Sequence, residues 1–327
     1  MIREESLLVT LVKLVDRIPV PPPLSKRPRG RPKFYPDRLF LKALVIMTIR
    51  HLHTPHELRS VLDQPTVEMQ ALRAMMTVDG RYPSRWTWDR RLKAIPATLP
   101  AQIGCLGRSL VALLQPWATS GRAVAIDSTI LRARGGVWHK KHREAGVVPH
   151  TSIDTQAHWT KSGWHGWVYG WKLHVATAVA AVWIPIAAEL TAANTADNEV
   201  APALIRELPW AARFVLGDIH YNAPTVEAAC EEQDRILVTP KYGRYPHRGD
   251  GVEVRRLFHK LRSLAIENFN EQFKGIFDGH AQVPTKGLVN TQRFALGAIF
   301  VYQLVLLYRH EHRQPLRVGL KAFLKAA

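Results

Sequence analysis

Two stretches of this chain, Ala123-Val-Ala-Ile-Asp127 and Arg213-Phe-Val-Leu-Gly-Asp218, are apolar runs that each stop on an aspartate. Short apolar runs bounded by turn-forming residues read as buried strands. A carboxylate at the end of such a strand has lost solvent and needs hydrogen bonds, a cationic partner or a metal. Between the two runs, Tyr169–Ala180 and Val182–Leu190 read as strands joined by a tight turn, and Asp197–Leu208 as a helix. After the second run come a helix over Thr225–Gln233 and a strand over Arg235–Thr239. Strand, hairpin, helix, strand, helix, strand, helix predicts an α/β fold around a mixed sheet.

Upstream of Gly121 the texture is helical. Leu7, Leu8, Leu11, Val12, Leu14 and Val15 recur at helical spacing, and Pro19-Val-Pro-Pro-Pro23 then stops the helix and makes a stiff linker. Asp37 is a candidate N-cap for Leu39–Leu52, Thr54-Pro-His-Glu57 has capping-box form, and Ser84 opens a helix to Ile95. Residues 103–115 complete this part, and Pro116 to Gly121 marks a boundary. The expected organisation is an all-helical N-terminal domain over 1–118 and an α/β domain over 119–327.

The formal charge is +18, against an ordinary hydrophobic content of 46%. Such an excess favours nucleic acid or an anionic membrane as partner. The longest apolar stretch, Phe294 to Tyr308, is shorter than the roughly 20 residues a membrane span requires and contains Gln303, so it reads as a buried helix. The start, Met1-Ile-Arg-Glu-Glu, carries acid where a signal peptide carries base. Cys105 and Cys230 supply neither a zinc site of usual spacing nor a disulfide framework, which suits a reducing cytoplasm.

A third acid, Glu267, lies in Leu257–Phe277, whose apolar residues mark an amphipathic helix with Glu267, Asn270, Glu271 and Lys274 on the opposite face. Taken singly, each acid has an ordinary reading: Asp127 before Ser-Thr as a cap, Asp218 as a loop start, Glu267 as a solvated side chain. Together in a polycationic chain they suggest a hard divalent cation held against a polyanion. Mg²⁺ prefers carboxylate oxygen and keeps waters for phosphate oxygens, and two ions about 4 Å apart can activate a water or a 3′ hydroxyl while stabilising the leaving oxygen.

The pieces Ala-Ile-Asp127-Ser-Thr, Tyr-Gly-Trp-Lys-Leu-His174, Leu-Gly-Asp218-Ile-His-Tyr221 and Ile-Glu267-Asn-Phe-Asn-Glu-Gln-Phe-Lys274 together resemble bacterial insertion-sequence transposases of the DDE type, in the broad group of the fourth and fifth insertion-sequence families. The resemblance covers most of residues 28–315. It implies a ribonuclease-H-like mixed sheet flanked by helices, and two Mg²⁺ ions, replaceable by Mn²⁺, on Asp127, Asp218 and Glu267. It also implies a homodimer bridging two element ends in the bacterial cytoplasm, at the nucleoid. Departures are visible. Ile219-His220-Tyr221 replaces the usual x-Gly-Tyr after the second aspartate. Lys260 and Ser263 stand where a tyrosine and an arginine are expected before the glutamate, with Arg262 one step off. Glu271 remains the alternative to Glu267.

The expected partner is double-stranded DNA, at element ends and at the target. Arg29, Arg31 and Lys33, in a Pro-Arg-Gly-Arg-Pro-Lys segment, suit a narrow minor groove or simply form a solvated linker. Arg132, Arg134, Lys140 and Lys141 lie in a basic, histidine- and tryptophan-rich excursion over 132–166, where rings and cations alternate as they do where bases stack. Lys172, Arg262 and Lys274 are further expected DNA contacts, the last two as phosphate-positioning groups. Trp138 and Trp159 read as substrate contacts and Trp171 as core; Asp154 and Asp197 read as spare acids, the latter a helix N-cap. A non-catalytic DNA-binding regulator, a decayed transposase or a stand-alone nuclease would share much of this pattern.

Overall fold

A computed structural model describes residues 6–22, 33–114, 122–163, 165–179, 182–240, 252–276, 282–316 and 320–325. The first part holds helices α1 (Leu7–Leu14), α2 (Asp37–Ile49), α3 (Pro55–Leu62), α4 (Val67–Met75), α5 (Arg85–Ala94) and α6 (Leu99–Leu114). The boundaries follow local chemistry. Ser6, Thr66 and Ser84 accept the N–H three residues on, and Thr54 with Glu57 closes a full capping box. Asp37 is not the expected cap. Pro36 holds that position, and Asp37 is the first helical residue, paired with Lys33 and Arg91.

The second part runs β1 (Ala123–Arg132), α7 (Lys140–Glu144), β2 (His158–Ser162), β3 (Gly166–Ala178), β4 (Ile184–Ala192), α8 (Asp197–Arg206), β5 (Phe214–Leu216), α9 (Pro224–Glu231) and β6 (Ile236–Val238). The excursion over 132–166, read as lacking a period, therefore contains a short helix and a strand. Strand order is β2-β3-β1-β5-β6, with β4 also on β3. The pairs β3–β1, β3–β4 and β2–β3 are antiparallel, while β5 and β6 run parallel to β1. Helices α10 (Val252–Arg262) and α11 (Asn268–Ile276) flank a π-helical turn over Ser263–Glu267, so the helix expected as continuous over Leu257–Phe277 is interrupted.

The long helix α12 (Leu288–Glu311) is followed by α13 (Leu320–Lys325). By length and composition α12 could cross a membrane, yet most of it is buried within the fold. It packs on β4, α6 and α2, so one apolar cluster runs from the N-terminal helices into the sheet. At that junction the Gln303 amide donates to Ile103 O at 2.9 Å and Pro185 O at 2.8 Å, tying three distant segments together. A mixed sheet with flanking helices after a helical N-terminal region is the architecture expected from the sequence.

Candidate active site

Register brings the two aspartates together. Val124 and Ala125 on β1 pair with Val215 and Leu216 on β5, in parallel. That ladder ends at Leu216; Asp127 lies two residues further along β1 and Asp218 two residues past Leu216, close enough for the Asp218 charge to be felt at Asp127. The apolar residues preceding each acid fix this, since a slip of one residue would turn the whole buried set outward. Gly217 serves the close approach at the end of β5, because a Cβ there would lie 2.7 Å from Tyr221 Cβ.

Asp127 is 22% exposed and accepts the Ser128 N–H at 2.8 Å. Burial pushes its carboxyl up to about 7; Arg262 opposes this rise, while the charges of Asp218 and Asp197 add to it. Asp218 caps the turn Ile219–Tyr221 by accepting the His220 N–H at 2.8 Å. That turn places Tyr221 in the interior, where its hydroxyl makes no hydrogen bond. Burial first, and then Asp127, Asp197 and Asp218, hold the Tyr221 phenol far above its ordinary value.

The third element is the π turn. Its ladder closes from i to i+5 rather than i to i+4, so it takes up one extra residue and resets the helix face. Arg262, five positions before Glu267, thereby reaches both acids: Nη1 lies 3.4 Å from Asp127 Oδ2 and Nη2 3.7 Å from Glu267 Oε1. The arginine expected four positions before the glutamate is thus supplied at five. Glu267, 61% exposed, is the acid this fork meets, rather than Glu271. Lys274, seven positions on, is half-buried; burial lowers its ammonium while the Asp127 charge pulls the other way.

Other expected site residues divide into three groups. Arg29 and Arg31 lie outside the described residues. Lys33, Arg132, Arg134, Lys140 and Lys141 are exposed; Lys33 pairs with Asp37, Arg134 donates to Pro284 O at 2.8 Å, and Lys140 lies 3.7 Å from Glu144. Lys172 requires correction as a DNA contact. It is 13% exposed and donates to Asp197 Oδ1 and Thr195 O, each at 3.1 Å.

Asp197 is the residue that sequence reasoning missed. It is the first residue of α8, with Ala196 in the cap position, and its charge is felt at Asp127 and Tyr221. His174 Nδ1 lies 3.5 Å from it. Burial drives the His174 imidazole down to about 4, with Asp197 opposing and Lys172 reinforcing the shift. The available signal was Lys172 on an apolar strand, a cation that calls for an acid once buried. Asp154, the other spare acid, is buried elsewhere and accepts the Gly287 N–H at 2.8 Å ahead of α12.

The residues suit a hard cation in kind. The donors are all oxygen, Asp127 is desolvated beside other acids, and a buried phenol oxygen stands unpartnered next to them. Among the described residues no three acid, imidazole or thiol groups close round one ion, because Glu267 turns to solvent and Arg262 lies between it and Asp127.

With this geometry stands the match of residues 118–304, more than half of the chain, to the transposase DDE domain family. The chain belongs to that family. DDE transposases are two-metal phosphoryl-transfer enzymes. No curated protein matches the chain. Among solved structures it is similar to a piggyBac transposase synaptic complex with hairpin DNA, at 9% identity and TM-score 0.39, over 97% of this chain and 76% of that one. It is also similar to a Mos1 transposase paired-end complex with the left transposon end, at 16% identity and TM-score 0.24, over 88% and 80%. A Mos1 mariner paired-end complex with Mn gives 16% identity and TM-score 0.23, over 86% and 80%. The family assignment rests on the domain match.

Proposed function

We propose that this DDE transposase cuts DNA at the ends of its own insertion element and joins the freed 3′ hydroxyl to target DNA. The reading is supported by the pairing of the two apolar runs that lead to Asp127 and Asp218, by the Asp218 charge felt at Asp127, and by Arg262 facing Asp127 from a third element.

Asp127, Asp218 and Glu267 would hold the divalent ions, Mg²⁺ or Mn²⁺. When bound, these supply an activated water or 3′ hydroxyl and stabilise the leaving oxygen. The protein's own side chains do the rest. The apolar strand under Asp127 keeps bulk water from its carboxylate, which strengthens every charge interaction there. The planar Arg262 fork would suit a phosphate oxygen pair at this site. Lys274 stands on the same side as a second phosphate contact. Arg132, Arg134, Lys140 and Lys141 would neutralise the flanking backbone, adding affinity without reading sequence. A homodimer bringing two ends together suits a reaction that must act at both.

The test is cleavage and strand transfer on supercoiled plasmid carrying the cognate ends, with Mg²⁺ and with EDTA. Asp127→Asn and Asp218→Asn are expected to bind the ends and leave them uncut; normal cutting by either overturns the assignment.

A further inference from the structure

The tryptophan-rich hairpin ahead of the sheet carries a second site. Strand β2 pairs with the first half of β3 so that Trp159 lies opposite Tyr169 and Lys161 opposite Trp167. Residues two apart on each strand share a face, so Trp159, Lys161, Trp167 and Tyr169 all project to one side of this ribbon. A groove of about 780 Å³ opens there, lined by Trp159 and Trp167 and by His139, Lys140 and Arg143 from α7 and its approach.

Its walls are fixed. The Trp159 indole N–H donates to Trp138 O at 2.9 Å, and the Trp138 N–H donates to Val147 O at 2.8 Å. Trp159 also rests on Tyr169 with ring centroids 5.4 Å apart. Trp167, by contrast, is 68% exposed, a large flat apolar surface facing water. The rim is cationic, its one acid, Glu144, lying 3.7 Å from Lys140. A cationic ligand is therefore repelled, and a flat group attached to an anion is favoured.

We propose that this groove takes an unpaired nucleobase of bound DNA, stacked on Trp167 against the fixed Trp159, with Lys140 and Arg143 on the adjoining phosphates. Base stacking on an exposed indole between phosphate-neutralising side chains is the chemistry of single-strand binding. Trp167 precedes Val175, the register partner of Asp127, by eight residues. That is about 26 Å along the strand, so the groove is separate from the carboxylates and holds DNA at a distance from them. The inference rests on the chain acting on DNA, as proposed above, but not on its cutting DNA.

The test is equilibrium binding by the full chain in EDTA, using a short duplex with a single extrahelical 2-aminopurine and the same duplex fully paired. The expected result is a preference of about tenfold for the extrahelical base, with quenching of its fluorescence. Trp167→Ala is expected to abolish both and to change affinity for the paired duplex by less than about twofold, while Trp167→Phe restores most of the preference. Equal affinity for the two duplexes, or a preference that survives Trp167→Ala, overturns the proposal. So does Trp167-dependent binding to anionic phospholipid vesicles without any base preference. Failure to cut plasmid leaves this preference unaffected, so the two proposals fail separately.

Discussion

The Arg262 guanidinium lies 3.4 Å from Asp127 Oδ2, a cation from a helix set against an acid at the middle of the sheet. Its second nitrogen, 3.7 Å from Glu267, makes it a bridge between two expected metal ligands. Both Arg262 and Asp127 are largely shielded, so the pair is screened less than a surface bridge. Arg262→Ala is expected to lower metal-free stability by about 1–3 kcal/mol at pH 8, read by urea titration. Arg262→Lys, with a single ammonium, should recover part of that stability and little of the plasmid cleavage. Full cleavage by the lysine variant would show that the fork is not used.

Protonation of Asp127 gives a pH dependence with a definite sign. Its carboxyl rises from 3.8 to about 7 on folding, so between those values the folded chain holds the proton more tightly than the unfolded chain. The stability this group contributes is present below about pH 4 and is lost as the pH climbs to about 7. Asp127→Asn should flatten that decline and be the more stable protein at pH 8, by roughly 2 kcal/mol. Thermal melts across this range in EDTA measure it, and saturating Mg²⁺ should restore the wild type at pH 8, because the ion binds the ionised carboxylate.

The π turn makes a prediction that a regular helix would not. Removing Leu264, an exposed residue within it, shortens the Arg262–Glu267 spacing from five to four. A regular α-helix places residues at that separation on one face. The deletion variant is expected to keep its helix content by circular dichroism and to retain cleavage within about tenfold. Complete loss of cleavage in a folded deletion variant would mean that the turn itself has a role in the reaction.

Lys172 and the α7 lysines should behave differently although all were expected at DNA. Lys172→Met leaves Asp197 without its nearest cation and should cost roughly 2–4 kcal/mol of stability, with no change in how DNA binding depends on salt. Lys140→Ala and Lys141→Ala should leave stability nearly unchanged and reduce the salt slope by about one unit each. Binding isotherms at several salt concentrations separate the two cases.

Much of the fold was legible because its signals are local. The two apolar runs are buried strands, and the capping residues Thr54 and Ser84 stand where the helices begin. But β1 does not stop at Asp127, which sits mid-strand because β3 pairs with β1 as far as Arg132, while β5 stops two residues short of Asp218. The reading of the two aspartates as a pair required their strands to be sheet neighbours, and β1 and β5 do pair. What stayed hidden depends on contacts far apart in the chain. Asp197 has the sequence of a helix start, and only the return of β4 and α8 beside β3 gives it Lys172 and His174 as partners. The one-residue offset of Arg262 likewise reads as a mismatch until the π turn absorbs it.

The bonds from Gln303 to Ile103 and Pro185 have a bearing on biosynthesis. The helix that carries Gln303 is made after α2, α6 and β4, yet it packs on all three. A nascent chain on the ribosome thus exposes these apolar faces until that helix has been made. Products terminated before that helix would lack the element that seals them, which makes them substrates for chaperones and proteases.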